Sequence, residues 1–174
     1  GYKCLQAVIR AQPDDATVYV VKRVSSKSFP ICCLVYCGHG GGSKYIKTSD
    51  CRRDDCKASV LLMGCSSALT YRPGNRYETL GTCAYYQIAK SPNVVGTLWD
   101  VTDKEMNRYL EALLTIWLGF RNPNREQQDY RCANISDHSD SLLQALAYAR
   151  NYCKLPFLTG AAIVSYGLPL FNGN

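Results

Sequence analysis

Three apolar runs punctuate the chain, and each ends abruptly in glycine or polar residues. Ile31-Cys32-Cys33-Leu34-Val35-Tyr36 stops at Cys37-Gly38-His39-Gly40-Gly41-Gly42. Ala58-Ser59-Val60-Leu61-Leu62-Met63 stops at Gly64-Cys65-Ser66-Ser67-Ala68. Asn93-Val94-Val95-Gly96-Thr97-Leu98-Trp99 stops at Asp100-Val101-Thr102-Asp103. Runs this apolar, without alternation, predict strands covered on both faces, as in a parallel sheet flanked by helices. A fourth run, Gly160 to Pro169, reads as a last strand whose small residues let something approach its backbone. Before these, Thr17 to Val21 is β-branched and aromatic and reads as an edge strand. Tyr2 to Arg10 fits a strand or a helix, and residues 1–30 are the least informative part.

Helical spacing fills the intervals. Thr102 with Glu105 has the pattern of a capping box, with Thr102 as N-cap. Met106, Tyr109, Leu110, Leu113, Leu114 and Trp117 follow at helical spacing, and Gly119 ends the helix. Gly81 to Lys90 predicts a short helix behind the sheet. Ser141 starts another, through Cys153, with Leu142, Leu146, Ala149 and Cys153 on one face. Arg121 to Asp140 is polar and turn-rich, hence a surface loop. No internal repeat is visible. Alternating strands and helices predict a single α/β domain over 1–174, with a mostly parallel sheet and helices on both faces.

Composition narrows this picture only slightly. The 174 residues carry a net charge of +6, but the basic residues are scattered. Only Lys44, Lys47, Arg52, Arg53 and Lys57 cluster, and they read as a solvated rim rather than a nucleic-acid patch. No apolar run is long enough to span a membrane. The ten cysteines are unevenly spaced, and several fall within apolar strands. That suits reduced thiols of an intracellular protein better than a disulfide framework. Cys51 and Cys56, with Cys37 and His39 nearby, invite a zinc reading. The pattern lacks a second well-spaced pair, so no metal and no cofactor are expected. The first residue is Gly, so the chain reads as a fragment or a processed chain.

The chemistry lies at the strand ends, where functional groups of open α/β sheets collect. A thiol attacks an amide well only after losing its proton. His39 can take that proton and later give it to the leaving amine. Two neighbouring parallel strands would set the Cys65 thiol and the His39 imidazole side by side. Backbone N–H groups of Gly40 and Cys65 are the candidate oxyanion donors, because glycines let a substrate carbonyl come close. No third member of a triad is identifiable, so the pair reads as a dyad. His before Cys is the reverse of the papain order. It fits caspase-like folds, although the caspase Gln-Ala-Cys signature is absent.

Four stretches, in order, carry a resemblance to the catalytic protease domain of separase. They are Tyr36 to Gly42, Leu61 to Ala68, Ser91 to Lys104 with its Leu98-Trp99-Asp100-Val101-Thr102-Asp103 run, and Lys154 to Pro169. The resemblance implies a caspase-like fold at the carboxyl end of a much longer chain. It implies a cysteine endopeptidase that cleaves the kleisin subunit of cohesin after Arg, in the nucleus and cytoplasm. The family's catalytic residues fall on Cys65 and His39, and a securin-like inhibitor is the implied partner, occupying the cleft as a pseudosubstrate. An Arg at the cleavage position needs a buried acid to pair with, ideally bidentate. Asp100, at the third strand's end, and Asp103, in the first turn of the next helix, are the candidates. Two other readings stay open: a caspase-like protease of different specificity, and a non-catalytic interaction domain.

Overall fold

The structure is a computed structural model that describes residues 6–11, 16–23, 31–43, 56–72, 74, 80–119 and 138–171. Six strands form one sheet in sequence order: β1 (Gln6–Ala11), β2 (Ala16–Arg23), β3 (Ile31–Gly38), β4 (Ser59–Met63), β5 (Asn93–Thr97) and β6 (Ile163–Gly167). β3, β4 and β5 are mutually parallel, and β1–β2, β2–β3 and β5–β6 pair antiparallel. Four of the six strands therefore run the same way. Among the described residues three α-helices occur, α1 (Thr82–Ile88), α2 (Asp103–Leu118) and α3 (Leu142–Ala149).

Side chains of the three parallel strands alternate between two cores, as the pleat requires. Cys33, Val35, Leu61, Met63 and Val95 pack against α2 and α3, together with Tyr109, Leu113, Ile116, Trp117, Leu142 and Ala145. Tyr36, Val60, Leu62 and Val94 pack on the other side, with Cys83 and Tyr86 of α1. Both faces are thus covered, which explains why these strands read as unbroken apolar runs. Every residue of β4 and of β5 is buried. Tyr109 links two helices by donating its hydroxyl to the Leu146 carbonyl at 2.7 Å.

Several expectations shift in detail. Tyr2 to Arg10 resolves as strand β1 over the described residues. The strand at Thr17 to Val21 is not an edge: β2 is hydrogen-bonded on both sides, and β1 is the edge. The third strand ends at Thr97, two residues early, although Leu98 still donates its N–H to the Ala162 carbonyl, in line with the Thr97–Ile163 pair. The helix from Ser141 is α-helical only to Ala149 and then tightens to a 3-10 turn over Arg150–Tyr152. Its predicted face is right: Leu142, Leu146, Ala149 and Cys153 are all buried. The last run opens with a 3-10 turn, Gly160–Ala162, before β6 begins.

The capping box at the start of α2 does not form. Thr102 has extended N-cap dihedrals, but no side-chain cap bond is made. Glu105 instead points inward, where its carboxylate takes the Arg108 guanidinium and, at 2.6 Å, the backbone N–H of Lys154. A buried carboxylate gains more from a guanidinium and an amide than from one N-cap amide. Gly119 ends α2 in the left-handed conformation, with φ 64°. Residues 44–55, with Cys51 and most of the basic cluster, lie outside the described residues, as does most of the 121–140 loop. Lys57 is exposed. Among the described residues no helix is long and apolar enough to cross a membrane.

Among the described residues Trp117 is the largest fully buried side chain. Trp117→Ala should cost about 3–5 kcal/mol of stability. Leu143→Ala, on the exposed side of α3, should stay within about 0.5 kcal/mol. Urea unfolding followed by circular dichroism measures both, and similar losses would contradict this placement of the core.

Candidate active site

Parallel pairing of β3 with β4 fixes the geometry. Cys37 is the register partner of Met63, the last pair of that ladder. Two residues further on each strand stand His39 and Cys65, so the chain brings them to equivalent positions beyond neighbouring strand ends. The two loops touch through backbone. A Cβ on Gly64 would fall well inside van der Waals contact of the Gly38 and Gly40 carbonyl oxygens. Only glycine at 64 allows the Cys65 loop to sit this close to the His39 loop. Gly40 has φ 61° and Gly42 φ 76°, both left-handed, and Tyr36 donates its hydroxyl to the His39 carbonyl at 2.8 Å.

The Cys65 loop is also laced to the end of β5. Thr97 donates its hydroxyl to the Gly64 carbonyl at 2.6 Å, and its N–H to the Ser67 hydroxyl oxygen at 3.0 Å. Ser67 in turn donates its hydroxyl to the Leu62 carbonyl at 2.6 Å, and Ala68 its N–H to the Thr97 carbonyl at 2.9 Å. Ser66 donates its N–H to the Trp99 carbonyl and its hydroxyl to an Asp100 carboxylate oxygen at 2.7 Å. The Cys65 thiol donates to the Val101 carbonyl at 3.0 Å.

The predicted residues are therefore gathered unevenly. Cys65 is half-buried and His39 is exposed. Among the described residues no hydrogen bond joins them, the thiol being turned to Val101. Such bonds are often loose without substrate and tighten in the reacting complex. Gly40, the other candidate oxyanion donor, lies in the loop in contact with Gly64. Asp100 stands at the β5 end, exposed and tied to Ser66. Asp103 is exposed in the first turn of α2, where an acid also meets the positive end of the helix dipole. Sequence reasoning missed Ser66, Ser67 and Thr97. Thr97 had a signal, as a polar side chain ending a buried strand; Ser66 had none.

Comparison with known proteins settles the family. The family described as Separin, protease domain, matches residues 5–106. This chain belongs to the separin protease-domain family. It is 33% identical over 167 residues to the Separin of Saccharomyces cerevisiae, covering 95% of this chain and 9% of that protein. To the Separin of Mus musculus it is 38% identical over 136 residues, covering 78% of this chain and 6% of that protein. A crystal structure of the Saccharomyces cerevisiae separase–securin complex at 2.6 Å superposes with TM-score 0.62 and 37% identity, over 79% of this chain and 8% of that one. The chain thus spans less than a tenth of the length of these separins. Membership accounts for the caspase-like, mostly parallel sheet with helices on both faces.

Three of the other described cysteines, Cys33, Cys37 and Cys83, stand apart by burial. Burial pushes the Cys37 thiol up to about 11 and the Cys83 thiol up to about 12. Cys33 is raised too, by burial first and then by neighbouring Cys32. A thiol held protonated is a poor nucleophile. Iodoacetamide at pH 7.5 should therefore modify half-buried Cys65 well before Cys33, Cys37 or Cys83 in the native protein. Labelling of Cys37 should stay slow until the pH approaches 11. Peptide mass spectrometry after timed quenching reads the order, and equal rates at Cys37 and Cys65 would contradict it.

Proposed function

We propose that this domain is a cysteine endopeptidase cleaving after Arg, with Cys65 as nucleophile and His39 as general base and acid. The observation that carries the reading is the β3–β4 register, which carries these two residues to matching positions beyond adjacent parallel strands. His39 takes the thiol proton, and the thiolate attacks the scissile carbonyl. Backbone N–H groups of Gly40 and Cys65 receive the oxyanion, and the imidazolium passes its proton to the leaving amine. The acyl-enzyme is then hydrolysed by water activated by the same imidazole. No cofactor takes part. The thiol leaves the Val101 carbonyl to reach His39, so substrate binding and thiol release are coupled in this reading.

Asp100 is the pocket acid in this proposal, with Asp103 the alternative. Its exposure lowers the expected contribution. A bound guanidinium would gain a charge-assisted hydrogen bond, about 1.5–3 kcal/mol, rather than the larger penalty of a broken buried pair. Family membership supports the kleisin subunit of cohesin as substrate and a securin-like protein as inhibitor. That substrate carries with it an intracellular setting in nucleus and cytoplasm.

Cys65→Ser should abolish cleavage of an Arg peptide, while Cys37→Ser should cost little. Asp100→Asn should lower kcat/KM on the same peptide by about one to two orders of magnitude, at 1.36 kcal/mol per tenfold. It should leave alkylation of Cys65 unchanged. Asp103→Asn should cost only about 0.3–1 kcal/mol of helix stability. Loss in Asp103→Asn with normal cleavage by Asp100→Asn would move the pocket acid to Asp103. Equal loss in both cysteine variants would remove Cys65 as nucleophile.

A further inference from the structure

The residue after the candidate nucleophile is held in an unusual way. Ser66 has φ 52°, one of two non-glycine residues with positive φ among the described residues. A serine in that region costs about 1 kcal/mol or more and persists only where its surroundings fix it. Two bonds fix it, and both run to the segment beyond β5. Its N–H reaches the Trp99 carbonyl at 3.3 Å, and its hydroxyl reaches Asp100 Oδ1 at 2.7 Å. A left-handed residue turns its side chain away from the course an extended or helical one would give it. Here that turn aims the hydroxyl across at the carboxylate.

We infer that Ser66 is a positioning residue that sets Arg specificity, by holding the Asp100 carboxylate in the plane a guanidinium fork requires. The inference rests on Asp100 as the pocket acid. A carboxylate has about four acceptor positions. One hydrogen bond to Oδ1 leaves three, enough for a bidentate guanidinium, while removing free rotation about the last side-chain bond. Asp100 is exposed, so without this bond its carboxylate would turn freely in water. Bidentate pairing with Arg depends on the orientation of that plane, whereas a Lys ammonium is a point charge and does not. Ser66 therefore discriminates between the two cations without touching either.

The test compares Ser66→Ala, Ser66→Gly and Asp100→Asn on paired peptides differing only by Arg or Lys at the cleaved position. Ser66→Ala keeps the backbone strain and loses the hydroxyl; Ser66→Gly loses both. Each should raise KM for the Arg peptide about 3- to 10-fold, within the range for one net hydrogen bond. kcat should change less than about twofold, and kcat/KM for the Lys peptide less than about threefold, so the Arg-to-Lys ratio falls. Iodoacetamide alkylation of Cys65 should keep its wild-type rate. Asp100→Asn losing Arg cleavage while both Ser66 variants keep the wild-type ratio would overturn the inference and leave the pocket acid standing. Normal cleavage by Asp100→Asn would overturn both. Loss in Ser66→Ala but not Ser66→Gly would assign the effect to backbone strain. Equal loss on both peptides, with slower alkylation, would make Ser66 a structural support of the Cys65 loop. Either of these last two results also overturns it.

Discussion

The Cys65 loop can sit where it does because β5 ends in Thr97, which bonds to it through its hydroxyl, its amide and its carbonyl. Thr97 gives its hydroxyl to Gly64 and its amide to Ser67, and Ser67 closes the circuit back to β4 through Leu62. These groups are buried, and an unmade hydrogen bond there costs about 1–3 kcal/mol each. The turn therefore has one satisfied geometry. Gly96 supplies the room: a Cβ there would come within 2.7 Å of the Ser67 hydroxyl and 2.9 Å of the Ala68 methyl. On the opposite side Gly64 abuts the Gly38–Gly40 backbone. The turn carrying Cys65 is thus wedged between two strand ends, and neither neighbour can move without disturbing it.

That wedge orders everything chemical at this edge of the sheet. Immediately beyond Thr97 the chain leaves the ladder, and Trp99, Asp100 and Val101 successively engage the Cys65 loop through Ser66 and the thiol. Trp99 is held from outside by its indole N–H, which donates to the Leu158 carbonyl at 3.1 Å. The 154–159 segment is tied in turn to α2 through Lys154 and Glu105. Buried Glu105 thus acts far from its N-cap, in a chain of contacts from helix to loop to strand end. Each link is a backbone or short polar contact, and these constrain position more tightly than apolar packing does.

Much of this was legible in the residues. The unbroken apolar runs of β3, β4 and β5 signalled two-sided burial, and the small or polar residues at their ends signalled where chemistry could sit. What the residues did not carry was non-local. β2 became interior only because β1 pairs outside it, and nothing within Thr17 to Val21 encodes a neighbour. Glu105 had the right offset from Thr102 for a capping box, but Arg108 and the Lys154 amide offered it more. Thr97 stood out as a polar residue in a buried strand, yet its partners lie about thirty positions away. Ser66 was invisible, because the sign of φ depends on the loop around it and not on serine.

The thiol's bond to Val101 adds a last constraint on how such a site must work. The thiol is held on the Val101 carbonyl at 3.0 Å, and among the described residues no hydrogen bond joins it to His39. In the proposed reaction the β3–β4 register alone does not bring Sγ to the imidazole, because the thiol is held on Val101. That reaction needs something to separate Sγ from the Val101 carbonyl or to bring the exposed imidazole inward. In the proposed reaction a peptide lying across the Asp100–Val101 segment would meet the first requirement directly, because it would compete for the same backbone and draw on the same carboxylate. In the proposed reaction, substrate recognition and release of the thiol then share one short segment.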